Sequence, residues 1–193
     1  MKKTHHLIAA TIFLLNSCFL AAQILPVKNA FQTDLANVIN EYPNHFKFYL
    51  GDQLAKNPQS SDYRSTLTVK DAEECTITQY SAANKEVVSW QAMMRRTENF
   101  EAAEKFFYSL YNSMNNLSAS IEPGKLIFKG TYLRPTEEKK FTSILFTSDK
   151  KYSQANKIVI ELLLQSEMME WTIRILVYEK ERRDEERGNT TEQ

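Results

Sequence analysis

Two stretches late in the chain, Lys157–Leu164 ("KIVIELLL") and Trp171–Tyr178 ("WTIRILVY"), do most to restrict the fold. Side chains of a strand point alternately to opposite faces, so each stretch reads as a strand with one apolar side. If the loop around Ser166-Glu167 holds an even number of residues, Leu164 faces Met169, Leu162 faces Trp171 and Ile160 faces Ile173. The other side then carries Glu161, Glu170, Thr172 and Arg174. A slip of one residue would bury those charges unpaired, so the register of this antiparallel pair is strongly specified.

Earlier segments follow the same logic. From Asn29 to Asn40, Phe31, Leu35, Val38 and Ile39 recur at helical spacing, with Asn29 placed to cap and Gln32 to complete a capping box. Pro43 disfavours helical geometry at Tyr42 and stops the helix there. Phe46, Tyr49 and Leu50 predict one more short turn before Gly51, and Asp52–Asp62 reads as a polar loop. Strands are expected around Leu67 and Val69, around Cys75 and Ile77, and from Val88 to Met94 after a turn at Ala82-Ala83-Asn84. In the last of these, Val88, Trp90, Ala92 and Met94 share one face, and Ser89, Gln91 and Arg95 the other. A second helix, capped by Asn99, carries the stripe Phe100, Ala103, Phe107, Leu110, Tyr111, Met114 and Leu117. Strands resume at Leu126–Leu133, after a turn at 122–125, and at Phe141–Phe146. The expected fold is α+β: two helices packed on one face of a strongly bent antiparallel sheet, in the order helix, strands, helix, strands, a tandem repeat of topology without a repeat of residues.

The first residues read as an address. Lys2 and Lys3 precede an apolar run from Leu7 to Leu15, and Ala21-Ala22 offers a small-residue cleavage site. This is the layout of a secretory signal peptide over residues 1–22, and the run is too short to span a bilayer. The rival is lipidation at Cys18. The leader and the glutamine after it are similar to those of exported proteins of Gram-negative bacteria. The expected layout is therefore a leader (1–22), one domain (23–180) and a charged tail (181–193), in a protein of the periplasm or the exterior without a transmembrane segment after cleavage. Loss of Lys2 and Lys3 takes the basic residues from 24 to 22 against 24 acidic ones, a balance with no long-range attraction for nucleic acid. Cys75 is then the single thiol, so no disulfide can form within the mature chain and stability must come from packing.

Few residues suggest chemistry. Four glycines, none in a phosphate-cradling pattern, argue against a nucleotide site. With His45 and Cys75 as the only His and Cys of the mature chain, no metal or other cofactor is expected. His45 reads as part of the packing where the first helix stops. Arg95 and Arg96 end a strand directly before the helix capped by Asn99, a place where guanidiniums and free backbone N–H groups together could hold an anion. Trp90, Phe128 and Tyr132 could line an apolar pocket between sheet and helix. The resulting expectation is a non-catalytic binding or interaction module of the cell envelope, taking a protein or small-molecule partner. Its rivals are a carrier of a small apolar ligand and a hydrolase built on two converging carboxylates.

Overall fold

A computed structural model describes residues 29–81, 86–121, 124–148 and 157–179 of the chain. The expected leader, the tail, the turn at Ala82-Ala83-Asn84 and half of the turn at 122–125 fall outside these residues. Helix α1 (Ala30–Glu41) is followed by strands β1 (Leu50–Lys56), β2 (Ser60–Ser65), β3 (Glu74–Ser81) and β4 (Glu86–Thr97). Helix α2 (Phe100–Met114) is followed by β5 (Leu117–Ile121), β6 (Gly124–Lys129), β7 (Phe141–Ser148), β8 (Ile158–Glu167) and β9 (Glu170–Glu179). All nine strands form one antiparallel sheet in the order β1-β2-β3-β4-β9-β8-β7-β6-β5. Two meanders thus run inward from opposite edges and meet where β4 pairs with β9.

The sheet is not strongly curled, which corrects the expected strong bend. The expectation counted fewer strands, and a narrow sheet must wrap to cover two helices. Nine strands offer enough width without wrapping. Helix α1 packs on β5, whereas α2 lies across β4, β8 and β9. Both contribute to one apolar cluster: Leu35, Val38 and Ile39 from α1, Ala103, Phe107 and Met114 from α2, and Trp90, Leu162, Ile173 and Ile175 from the sheet. The helix starts are as their residues dictate. The Asn29 side chain accepts from Gln32 N–H at 2.8 Å, and the Gln32 side chain accepts from Asn29 N–H at 3.2 Å. The Asn99 side chain accepts from Ala102 N–H at 2.8 Å.

In β8 and β9 the apolar face is as expected, but the partners differ. Leu164 faces Ile173, Leu162 faces Ile175 and Ile160 faces Val177, while Trp171 sits opposite Ser166. The hairpin turns two residues later than expected, through Met168 and Met169, which both take left-handed backbone with φ of 49° and 68°. Such a pair of positive φ values matches a two-residue hairpin turn to the sheet's twist, and that requirement overrides the preference of methionine for other conformations. Met169 is consequently exposed in the turn and is not a member of the apolar face. The opposite face is more buried than its charges suggest: Met93, Val159, Leu163 and Tyr178 are covered there. Arg174 and Glu167 there are joined by two hydrogen bonds of 3.0 and 2.5 Å, while the buried Arg174 Nε has no partner among the described residues.

Five further expectations need correction. Asp52–Asp62 is not a loop but most of β1 and β2, and Leu67 and Val69 lie in an irregular segment between β2 and β3. Leu117 belongs to β5, not to the helix, and Leu126–Leu133 is a strand only as far as Lys129. The fifth concerns β4, where a bulge between Met93 and Arg95 turns Arg95 to the face of Ile173. The expected turn before Gly51 is present, with His45 and Phe46 both left-handed at φ 55°. Phe46 is fully buried, its ring edge-on to Tyr42 at 6.2 Å, so core packing holds a conformation that bulky residues disfavour. The buried Nδ1 of His45 has no hydrogen-bond partner among the described residues. Burial, first, raises the Cys75 thiol above its ordinary range and keeps it protonated.

Candidate binding groove on the edge of β7

The join between β6 and β7 is short. Phe128 pairs with Ser148 and Lys129 with Thr147, and pairing stops there. At Gly130 the chain leaves the sheet. Its N–H donates to the Asn115 side-chain oxygen and its carbonyl accepts from the Tyr111 hydroxyl, both at 3.3 Å, so two α2-end side chains take the bonds that a strand would have made. A side chain could not fit here: a Cβ on residue 130 would lie 2.9 Å from the Phe146 ring and 3.0 Å from the Leu145 carbonyl oxygen. The chain returns to the sheet at Lys140, whose carbonyl accepts from Ser166 N–H at 2.8 Å. Residues 131–139 therefore bow outward from the edge of β7.

Between the bow and β7 lies a groove of about 550 Å³, lined by Thr131, Leu133, Arg134 and Lys139 on one side and by Phe141, Thr142, Ser143, Ile144 and Leu145 on the other. Consecutive strand residues point to opposite faces, so a cavity touched by all five of residues 141–145 runs along the strand's edge, against its main chain. The bond from Ser166 to Lys140 fixes which groups are paired. In an antiparallel ladder, hydrogen-bonded pairs alternate, so residues 140, 142 and 144 bond to β8. Phe141, Ser143 and Leu145 turn their N–H and C=O groups into the groove. Among the described residues, no backbone hydrogen bond joins them to residues 131–139.

The rim is mixed. Leu133 is 55 % exposed and the Phe141 ring 49 %. Arg134 Nε donates to the Glu104 carboxylate at 2.8 Å, a hydrogen bond that raises the guanidinium pKa further. Lys139 has no ion pair among the described residues. Thr142 is buried, and its hydroxyl has no hydrogen-bond partner among the described residues. Ser143 Oγ donates to one oxygen of Glu161, and the Tyr178 hydroxyl donates to the other at 2.6 Å. The outer side of the bow is anchored by aromatics: the Tyr132 ring lies 4.9 Å from Tyr111 and 5.1 Å from Tyr108. Burial, ahead of the nearby Glu104 carboxylate, raises the Tyr132 pKa above its ordinary 10.0.

The residues singled out from sequence are placed elsewhere, with one exception. The Arg95 guanidinium lies over the Phe106 ring, 3.9 Å from its centre. Arg96 pairs with Glu73 at 2.9 Å, and its N–H also donates to that carboxylate at 3.1 Å. The two guanidiniums therefore have different partners, and the Asn99 side chain is engaged in capping. Trp90 is fully buried on β4, its Nε1–H donating to Ser65 Oγ at 3.1 Å and to the Leu67 carbonyl at 3.0 Å. Phe128 is fully buried on β6, with β9, β8 and β7 between it and β4. Tyr132 alone belongs to the groove region, within the bow. A second, smaller crevice of about 230 Å³ lies between the start of α1, Met94 on β4, and Phe106, Leu110 and Ser113 on α2. No group of three or more His, Cys, Asp or Glu side chains among the described residues is placed to hold a metal ion, and no described helix is long and apolar enough to cross a membrane.

The groove-lining residues were missed because the feature is a lack of pairing, which depends on where distant segments go. The local signals were Gly130 and Pro135, which bracket Thr131–Arg134 and mark where a strand stops. The chain matches no protein-family model, no curated protein and no solved structure, so any reading of the groove rests on its own geometry.

Proposed function

We propose that the protein is an exported, non-catalytic binding module of the cell envelope, and that the groove along β7 is where it takes its partner. In this reading both helices cover one face of the sheet and leave the β7 edge for binding. The observation that carries it is the stretch of main chain at Phe141, Ser143 and Leu145, unpaired among the described residues, beside the exposed apolar side chains of Leu133 and Phe141. Edges of this kind are normally blunted or covered, and an uncovered one with an apolar rim is a ready site for association. A carrier with its ligand between sheet and helix is less well supported, since Trp90, Phe107, Phe128 and Phe146 already fill that space. For a hydrolase, the two carboxylates bonded to groove-lining residues are both engaged: Glu104 accepts from Arg134, and the oxygens of Glu161 accept from the Ser143 and Tyr178 hydroxyls.

Native mass spectrometry of the protein extracted from its own envelope tests the reading. A bound species should appear as added mass on the wild type. It should be absent from a Leu133→Asp, Phe141→Asp double variant whose melting temperature is close to that of the wild type. The same added mass on both proteins would remove the groove from consideration.

A further inference from the structure

We propose that the groove's partner is an extended peptide segment, apolar residues alternating with acidic ones, which adds to the sheet as a further strand along the edge of β7. This rests on the reading of the groove as the binding site and names what occupies it.

The chemistry of the groove wall carries the inference. Phe141, Ser143 and Leu145 each present one N–H and one C=O toward the groove, two residues apart. The matching partner for alternating donors and acceptors at that repeat is another extended backbone, which is the basis of recognition by strand addition. A lipid tail would leave these groups unsatisfied, and a buried polar group without a partner is costly. The free stretch of five residues is roughly 15 Å long, at about 3.3 Å per residue, enough to hold a short segment in register.

The side chains give the segment its composition. Residues of an added strand that point to one face meet Leu133 and Phe141, the exposed apolar groups of the rim. The charged groups in the lining are Arg134 and Lys139, both basic. Arg134 already holds Glu104, which leaves Lys139 as the cation for an incoming carboxylate. The same charges disfavour a second copy of this chain as the occupant. The stretch Phe141–Leu145 carries no acid, so a second copy of β7 would bring no carboxylate to Lys139. The Thr142 hydroxyl, buried beside the groove without a partner, is a further group that an entering segment can satisfy.

The test uses the mature full-length protein and an array of fluorescent seven-residue peptides in which valine or leucine alternates with glutamate. A set with lysine in place of glutamate and a set N-methylated on alternate amides serve as controls. The acidic peptides should bind, and methylation in the register that faces β7 should weaken binding by at least about tenfold, since it removes the donors that pair with the edge. Binding should slow amide hydrogen exchange at Phe141, Ser143 and Leu145. Ser143→Pro, which deletes an outward N–H and leaves the bonds to β8, should lose binding, while Ser143→Ala should keep it.

Binding that is indifferent to methylation, or slowed exchange confined to other strands, overturns strand addition but leaves the groove as a site. Equal binding of the lysine peptides overturns the assigned composition. If no peptide set binds while the envelope-extracted protein carries a mass that the Leu133→Asp, Phe141→Asp variant lacks, the peptide assignment fails and the binding-module reading stands. If the extracted protein and that variant carry the same mass, the groove reading itself fails.

Discussion

The centre of the sheet and its β6–β7 join are built from the same kind of chain, yet one is closed along its length and the other is open. Between β8 and β9, pairing runs without interruption from Ile158↔Glu179 to Glu167↔Glu170. Between β6 and β7 two residue pairs are made among the described residues, and at Gly130 the chain departs. At the centre, unbroken alternation gives each strand an apolar face to bury, so the ladder and the core reinforce each other. At the join, Gly130 hands its backbone bonds to Asn115 and Tyr111, and the ladder ends where the glycine sits. At the join, pairing stops where the end of α2 captures the chain.

The comparison predicts unequal losses. Trp171→Ala at the closed centre, where Trp171 is buried against Phe100 with ring centres 4.9 Å apart, should cost about 3–5 kcal/mol. That is a large part of the roughly 5–15 kcal/mol available to a domain. Urea denaturation measures it, and a loss below about 1 kcal/mol would place the strength of the sheet elsewhere. At the open join, Gly130→Ala should cost about 1–3 kcal/mol, the range for overpacking, because the new methyl meets Phe146, Ile144 and the Leu145 carbonyl. A neutral result would mean that the bow moves freely and that the groove has no fixed width.

Thr142→Val sharpens the comparison from the other side. Removing a buried hydroxyl that has no partner should raise stability by about 1 kcal/mol, whereas a fall would reveal a bond made by that hydroxyl. The smallest effect concerns pH. The folded pKa of Tyr132 is raised above 10.0, so its contribution to stability is full below the ordinary tyrosine range and is lost as pH rises through the folded value. Alkaline denaturation should therefore begin with loosening of the bow, and Tyr132→Phe should remove that early phase. An unchanged onset in the variant would detach the bow from the titration.

How much could be read from the chain follows the same division. The capping box of Asn29 and Gln32, the stripe of α2 and the apolar faces of β8 and β9 are local patterns, and each is in place. β1 and β2 were unreadable because they lie at one edge with mostly exposed or half-exposed side chains, and little alternation survives in Asp52–Asp62. β1 pairs with β2, and β2 is joined to the rest of the sheet by β3, a partner no local pattern names. The hairpin turn was misplaced because Met168-Met169 carries none of the residues that usually mark such turns, whereas the polar Ser166-Glu167 lies just before it. Arg95 and Arg96 were read as neighbours at a strand end, but the bulge beside Met93 sends one to Phe106 and the other to Glu73. The groove depends on the course of residues 131–139 relative to β7, so only its rim residues, not their arrangement, were visible.

The position of β9 has a consequence for how the molecule is made. It is the last of the described strands, yet it sits between β4 and β8 in the middle of the sheet. The first meander ends at β4 with one side waiting for a strand more than seventy residues downstream, as in Ala92↔Ile175. Contacts so distant along the chain slow folding, because a long loop must close before any of its bonds are made. Each meander formed alone presents its most apolar strand as a raw edge, the form most prone to aggregation. Assembly is therefore a final closure, and a chain that stops before Glu170 holds two half-sheets with no strand to join them.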